Sequence, residues 1–260
     1  MIRLVHLLKR RADVSAADFD RQWRDVMGPA FAAEQTHCAI VRHVQTWRGD
    51  TTAAIEAAAQ ADRGAMESAA DGVAETWWSS EDALRSVLAS ADARQRLARL
   101  AEALADLTEP GGSPLWLAHE YPQVLTGPQR VVAGARTGVV KVHFALRPLP
   151  QLTDADARGW WLTRHGPLVR SHAAARGALA YTQVHRTPSP LTAELAAIFG
   201  APEGDYMGHA EAWFDRLSPR TGPEADAAKA AAVADERRFI DWTRSTFLAG
   251  KERVFVDRDW

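Results

Sequence analysis

The chain has 260 residues, 47% of them hydrophobic and 25% charged, with a formal net charge of −2. That is enough apolar mass for one large domain or two small ones, and the near balance of charge argues against a nucleic-acid binder, which needs a basic face. The one cysteine, Cys38, excludes an internal disulfide, so a reducing cytoplasm is the expected location. No stretch approaches the ~20 apolar residues of a membrane span, and the run MIRLVHLLKRR is too short and too interrupted for a signal peptide.

The first predicted element is a strand over residues 2–8. Ser15, with Asp18 three residues later, opens a helix as a weak capping box, and Phe19, Trp23 and Met27 keep helical spacing along it. Gly28-Pro29 is expected to end that helix. A second strand over 40–47, a variable and partly helical stretch over 51–70, a third strand over 73–78, a long helix near 81–107 and an extended piece over 116–121 follow. The stretch TGPQRVVAGARTG is rich in glycine and small residues and reads as a linker over 126–138.

After it the pattern repeats. A gapless offset of 138 lays IRLVHLL on VKVHFAL, Ser15-Ala-Ala-Asp18 on Thr153-Asp-Ala-Asp156, Trp23 on Trp161, Gly28-Pro29 on Gly166-Pro167 and Gln45 on Gln183. Further on, DGVAETWW matches MGHAEAWF with an offset of 136. The second copy then predicts strands over 140–146, 179–186 and 209–214, a partly helical stretch over 188–205, a long helix over 223–248 and a last extended piece over 253–256. The order strand–helix–strand–strand–helix–strand is the split βαβ, ferredoxin-like unit. The fold class is therefore α+β: two ferredoxin-like halves, 1–125 and 139–260, packed sheet to sheet as a pseudo-dimeric α/β barrel. One chain then supplies its own pseudo-dimer, and a further homodimer is allowed but not required.

The residues S-x-x-D-F-x-x-x-W, H-x-P-L, Y-x-Q-x-H and G-x-A-E-x-W-F, in this order after a strand of the type IRLVHLLKR, resemble the EthD family of the dimeric α/β-barrel superfamily. The second copy carries the pattern at Trp161, His165, Pro167, Leu168, Tyr181, Gln183, His185, Gly208, Glu211 and Trp213. The first copy departs from it, with Met27 for the histidine, His43 for the tyrosine and Trp47 for the later histidine, so it is expected to be degenerate and mainly structural. The resemblance implies a cofactor-independent enzyme that acts by proton transfer on a small aromatic or polyketide-like carbonyl compound, as an isomerase, dehydratase, cyclase or decarboxylase. The alternative is a non-catalytic binding or carrier protein for a hydrophobic metabolite, accessory to an oxygenase or degradation pathway. Fold alone does not choose between them.

His165, Tyr181 and His185 are the expected catalytic residues, and Trp161, Gln183, His209, Glu211 and Trp213 the expected substrate-binding ones. His165 lies one turn from Trp161, where a helix end favours its protonated form and burial opposes it; the plainer reading is a histidine that only caps a helix. Tyr181, Gln183 and His185 alternate on one strand face, where three polar groups need partners or a ligand. His209, Glu211 and Trp213 share a face opposite the small Gly208, Ala210 and Ala212, and the larger polar side is expected to face a cavity under the helices. Either glutamate, Glu75 or Glu211, could instead be structural, bonding a helix end or an arginine. His143 is expected as a hydrogen-bonded core histidine between the sheets. A metal on His165, His185, His209 and Glu211 lacks HxxxH or HExxH spacing, so none is expected. No haem, nucleotide or serine-hydrolase pattern is present. An opposing expectation gives the first copy its own pocket around His43, Gln45 and Glu75.

Overall fold

Strand alternation folds each half into four antiparallel strands, and the computed structural model describes residues 1–49, 52–125, 127 and 129–258. The strands are β1 (Ile2–Leu8), β2 (Arg42–Arg48), β3 (Gly72–Trp78), β4 (Leu115–Leu125), β5 (Val139–Leu146), β6 (Ala178–Arg186), β7 (Gly208–Asp215) and β8 (Thr246–Asp257). They close into a barrel in the order β1-β3-β2-β8-β5-β7-β6-β4. Each half thus supplies a ferredoxin-like sheet, β4-β1-β3-β2 or β8-β5-β7-β6, with its helices on the outside. Among the described residues, no helix is long and apolar enough to cross a membrane.

The last strand of each half closes the barrel. β4 has 11 residues and β8 has 12, long enough to serve two neighbours. The start of β4 pairs with β1, and its remainder pairs with β6 of the other half. β8 likewise starts on β5 and continues on β2. Both sheet edges are thereby consumed, which removes the exposed edge that each half would carry alone.

Three expected boundaries shift. The helix expected over 223–248 ends at Glu236, because Phe239 and Ile240 turn inward and pack with Trp161, Phe144 and Leu146. β8 therefore begins at Thr246, earlier than residue 253. The helix expected over 81–107 is two, Glu81–Ala89 and Ala91–Ala105, divided at Ser90, whose hydroxyl accepts from the Ala93 N–H as a cap.

The third correction concerns Gly-Pro. Helix Ala16–Gln22 continues through a π-helical turn, Trp23–Met27, into helix Gly28–Ala33, and Asp154–Trp160 does the same through Trp161–His165 into Gly166–Ser171. Gly28 and Gly166 donate to the Trp23 and Trp161 carbonyls, five residues back. The widened turn gives room where a proline ring would meet a carbonyl in a regular helix, and the missing proline N–H falls at the start of the next helical segment. Both copies lock this turn identically: Gln45 Nε2 donates to Trp23 O and Gln183 Nε2 to Trp161 O, each at 2.8 Å. The N-caps match as well, Ser15 accepting from Asp18 N at 3.0 Å and Thr153 from Asp156 N at 3.1 Å.

Met27 is buried in the first half's core with Phe19, Trp23 and Phe31. Met27→Ala is expected to lower unfolding free energy by roughly 2–5 kcal/mol, because the methionine's closely packed neighbours relax only partly into the void. Urea unfolding checks this; an unchanged midpoint would show that the position collapses freely.

Candidate active site in the second half

A cavity of about 350 Å³ lies on the outer face of the second sheet, under helices Ala173–Arg176 and Pro223–Glu236. That size is at the lower end of small-ligand pockets, about 300–1,000 Å³. Val140, Val142 and Phe144 of β5 and Ala210, Ala212 and Phe214 of β7 form its sheet wall. The two alanines leave the room. Helix Ala53–Arg63 of the first half closes one side with Ile55, Ala58 and Ala59, so the cavity is built from both halves.

Trp161, His165 and Tyr181 all line it. The π-turn sets the tryptophan and the histidine over the sheet, and β6 presents the tyrosine. His165 Nδ1 lies 2.9 Å from Asp235 Oδ2. Hydrogen bonding to His165 holds the Asp235 carboxyl below its ordinary value, so it is ionised and only accepts. Nδ1 therefore carries a proton, and in the neutral ring the lone pair sits on Nε2. Trp160 Nε1 donates to the same carboxylate at 3.3 Å, and the His165 ring rests against Phe239. Tyr181 OH accepts from Trp161 Nε1 at 2.9 Å. Burial raises its pKa, so the phenol stays protonated and can donate. Asp235 escaped the sequence reading; it is one carboxylate among several on an alanine-rich helix, and no spacing ties it to His165.

Gln183 and His185 share the face of Tyr181 but stand behind Trp161. Gln183 holds the Trp161 carbonyl, its Oε1 lies 3.0 Å from His185 Nε2, and the His185 ring stacks on Trp161 at 4.7 Å. Neither lines the cavity.

His209, Glu211 and Trp213 are on the opposite side of the sheet from the one expected. The small face of β7 lines the cavity, and the large polar face points into the barrel, where charged residues of both halves meet. Arg3 Nη1 lies 3.2 Å from Glu75 and 3.1 Å from Glu211, while Lys141 Nζ lies 2.7 Å from Glu75 and 2.6 Å from Glu211. Each cation thus touches both glutamates across the pseudo-twofold axis. Both glutamates are bonded to an arginine, as the structural reading of them allowed. Trp213 Nε1 donates to Glu252 at 2.8 Å. His143 stacks on His209 at 3.9 Å inside this cluster.

The four residues weighed and set aside as metal donors, His165, His185, His209 and Glu211, are split between two faces of the sheet. Among the described residues, Glu75, His143 and His209 do present candidate ligand atoms within 4.8 Å of one another. Glu75 Oε2 is already held by Lys141, and His209 Nε2 lies 3.0 Å from Arg3 Nη2. A cation there would have to displace two permanent cations.

The counterpart space in the first half is filled. Phe31 stacks on His43 at 4.2 Å, and the Phe255 ring sits against Gly28, where even a Cβ would lie 2.1 Å from it. His43 bonds Thr76 at 2.9 Å and Gln45 bonds Trp23, whereas Glu75 faces the barrel interior, so these three do not share a pocket.

Burial pushes His6, His43 and His185 down from 6.5 to about 4, about 3 and about 4. In the unfolded chain each returns to about 6.5. Between pH 6.5 and 4 the unfolded state binds more protons, so the stability present above 6.5 is lost as pH falls through that window. The urea midpoint is expected to decline across it, less steeply in His43→Phe; a flat midpoint would contradict the buried neutral state.

Two ferredoxin-like sheets closed edge to edge in one chain, with a cavity between sheet and helices, define a single-chain form of the dimeric α/β barrel. The EthD domain profile matches residues 11–108 and 149–243, and the chain belongs to the EthD family as two fused copies. No curated protein matches the chain. Among solved structures, a protein provisionally assigned as a chlorite dismutase is similar over 97% of this chain and 94% of its own, at 12% identity and a TM-score of 0.46. That likeness is too slight to bear on fold or function, and the barrel stands on its own strand pairing.

Proposed function

We propose that the chain is an enzyme that moves a proton at the carbon beside a carbonyl group of a small, largely apolar, aromatic or polyketide-like compound, without a resident cofactor. The observation that carries this reading is the His165–Asp235 pair on the wall of an apolar cavity, with Nε2 free of any hydrogen bond among the described residues. Nε2 takes the proton as the C–H bond breaks, and the electron pair moves onto the carbonyl oxygen as an enolate. Asp235 steadies the imidazolium. The Tyr181 hydroxyl donates to the enolate oxygen. Return of the proton at another carbon isomerises the substrate; loss of a β-hydroxyl dehydrates it; attack on a second carbonyl cyclises it.

Gln183 and His185 support a second reading. Gln183 bonds the Trp161 carbonyl, and His185 bonds Gln183 and stacks on Trp161, so neither faces the cavity, as would suit a carrier that orients its ligand by shape. Exchange of the α-protons of 2-tetralone in D₂O, followed by NMR, separates the two. Enzyme-dependent exchange that requires His165 supports catalysis. Tight binding of such ketones with no exchange supports the carrier.

A further inference from the structure

Arg176 gives the cavity a charge that no carboxylate among the described residues meets in direct contact. It ends helix Ala173–Arg176, after which Gly177, at φ 65°, turns the chain into β6. Its side chain lines the cavity with Tyr181 and His165, and its guanidinium lies 5.9 Å from the centre of the Phe214 ring on the sheet wall. Most of the other charged groups in the lining are paired; Asp215, half-buried at the end of β7, accepts from Leu217 N at 2.9 Å and has no cation within 4.0 Å among the described residues. Arg63 makes two bonds to Glu236, at 2.7 and 2.8 Å; Lys229 meets Asp62 at 2.8 Å; His165 meets Asp235. Among the described residues, no carboxylate lies within 4.0 Å of Arg176, and it makes no hydrogen bond. Arg216 and Arg220, exposed at the mouth, are likewise without a carboxylate partner among the described residues.

A half-buried guanidinium against an aromatic wall, with no carboxylate in contact, is stabilised only at a distance by Glu236 and Asp62, which are already engaged by Arg63 and Lys229. Burial lowers its pKa, yet a guanidinium remains charged in any working buffer. Five N–H donors in a fixed fork match the two oxygens of a carboxylate, and the arginines at the mouth raise the local concentration of anions.

We propose that the substrate is an aromatic or polyketide-like carboxylic acid whose carboxylate is held by Arg176, which places its carbonyl group between Tyr181 and His165. This inference rests on the reading that the second-half cavity takes the substrate, and it adds the substrate's charge.

The test is calorimetric binding of 2-naphthoate and its neutral counterpart 2-naphthalenemethanol to the full chain and to Arg176→Met, Arg176→Lys and His165→Ala. The wild type is expected to prefer the carboxylate by about 10- to 100-fold, as one charge-assisted pair supplies. Arg176→Met should lose the preference while still binding the alcohol, and Arg176→Lys should keep part of it. His165→Ala should retain the preference in full. Without ligand, Arg176→Met should unfold at the same temperature as wild type or higher, since an unpaired cation has been removed. Equal affinity for the two probes, no binding of naphthoate, or an unchanged preference in Arg176→Met would overturn the proposal. Carboxylate preference without proton exchange would leave it standing and remove the catalytic reading; exchange without preference would do the reverse.

Discussion

His165→Ala is expected to lower turnover about 10²–10⁴-fold on any substrate that the wild-type chain converts, the usual contribution of a positioned general base. Because His165 pairs with only one carboxylate, which also accepts from Trp160, the fold should survive the change. Asp235→Asn sharpens the test. An asparagine at that position can offer an N–H to Nδ1, which would move the imidazole proton to Nε2 and remove the lone pair facing the cavity. Packing would scarcely change, yet turnover should fall by up to about 10⁴-fold, as in triads whose carboxylate is amidated. A purely structural pair would show the opposite pattern, with unfolding midpoints shifted and kcat intact. Since the natural substrate is unidentified, the α-proton exchange of 2-tetralone serves as the first readout. Full exchange activity in both variants would reduce His165 to a packing residue and move the search to another part of the cavity.

The residues that built this site were unevenly legible. Trp161, His165 and Tyr181 could be read because a repeat and a strand period place them on one surface, and the structure puts all three on the cavity wall. Period-2 alternation also grouped His209, Glu211 and Trp213 correctly. It could not say which side of the sheet is inside, because a barrel of two fused sheets has a second interior, and here charged groups fill that interior while alanines line the ligand space. Asp235 and Arg176 lay beyond reach for a different cause: each approaches the cavity from a helix whose contacts depend on tertiary packing and on no local spacing. The Gly-Pro steps misled because proline usually ends a helix, whereas the π-turn before it absorbs the steric conflict. The long last strands were hidden too, since nothing within one half demands that β4 or β8 reach past its own sheet.

Lys141→Met should be the most destabilising single change in the barrel interior. Lys141 is 1% exposed and lies 2.7, 2.6 and 3.3 Å from carboxylate oxygens of Glu75, Glu211 and Glu252. Burial by itself would lower its pKa, but the three carboxylates hold it above the ordinary lysine value. Arg3 shares Glu75 and Glu211 with Lys141 and also lies 3.6 Å from Glu120, so methionine would leave Arg3 to face these carboxylates alone in the barrel interior. Removing one partner of a buried ion pair costs about 3–5 kcal/mol, mostly from the charge left behind, and because Arg3 and Glu75 come from one half and Lys141 and Glu211 from the other, the loss should also loosen the joint between halves. Two controls separate charge from volume. Adding Glu211→Gln to Lys141→Met removes one stranded charge and should recover part of the loss. Lowering the pH should narrow the gap between variant and wild type: the wild type keeps Glu211 well below its ordinary 4.5 and loses that stabilisation as pH falls through this range, while the variant's unpaired carboxylates take up protons earlier and shed their repulsion. If Lys141→Met unfolds at the wild-type urea midpoint, or if the gap widens in acid, the interior charges are incidental and the two edge pairings, β2 with β8 and β4 with β6, hold the halves together without them.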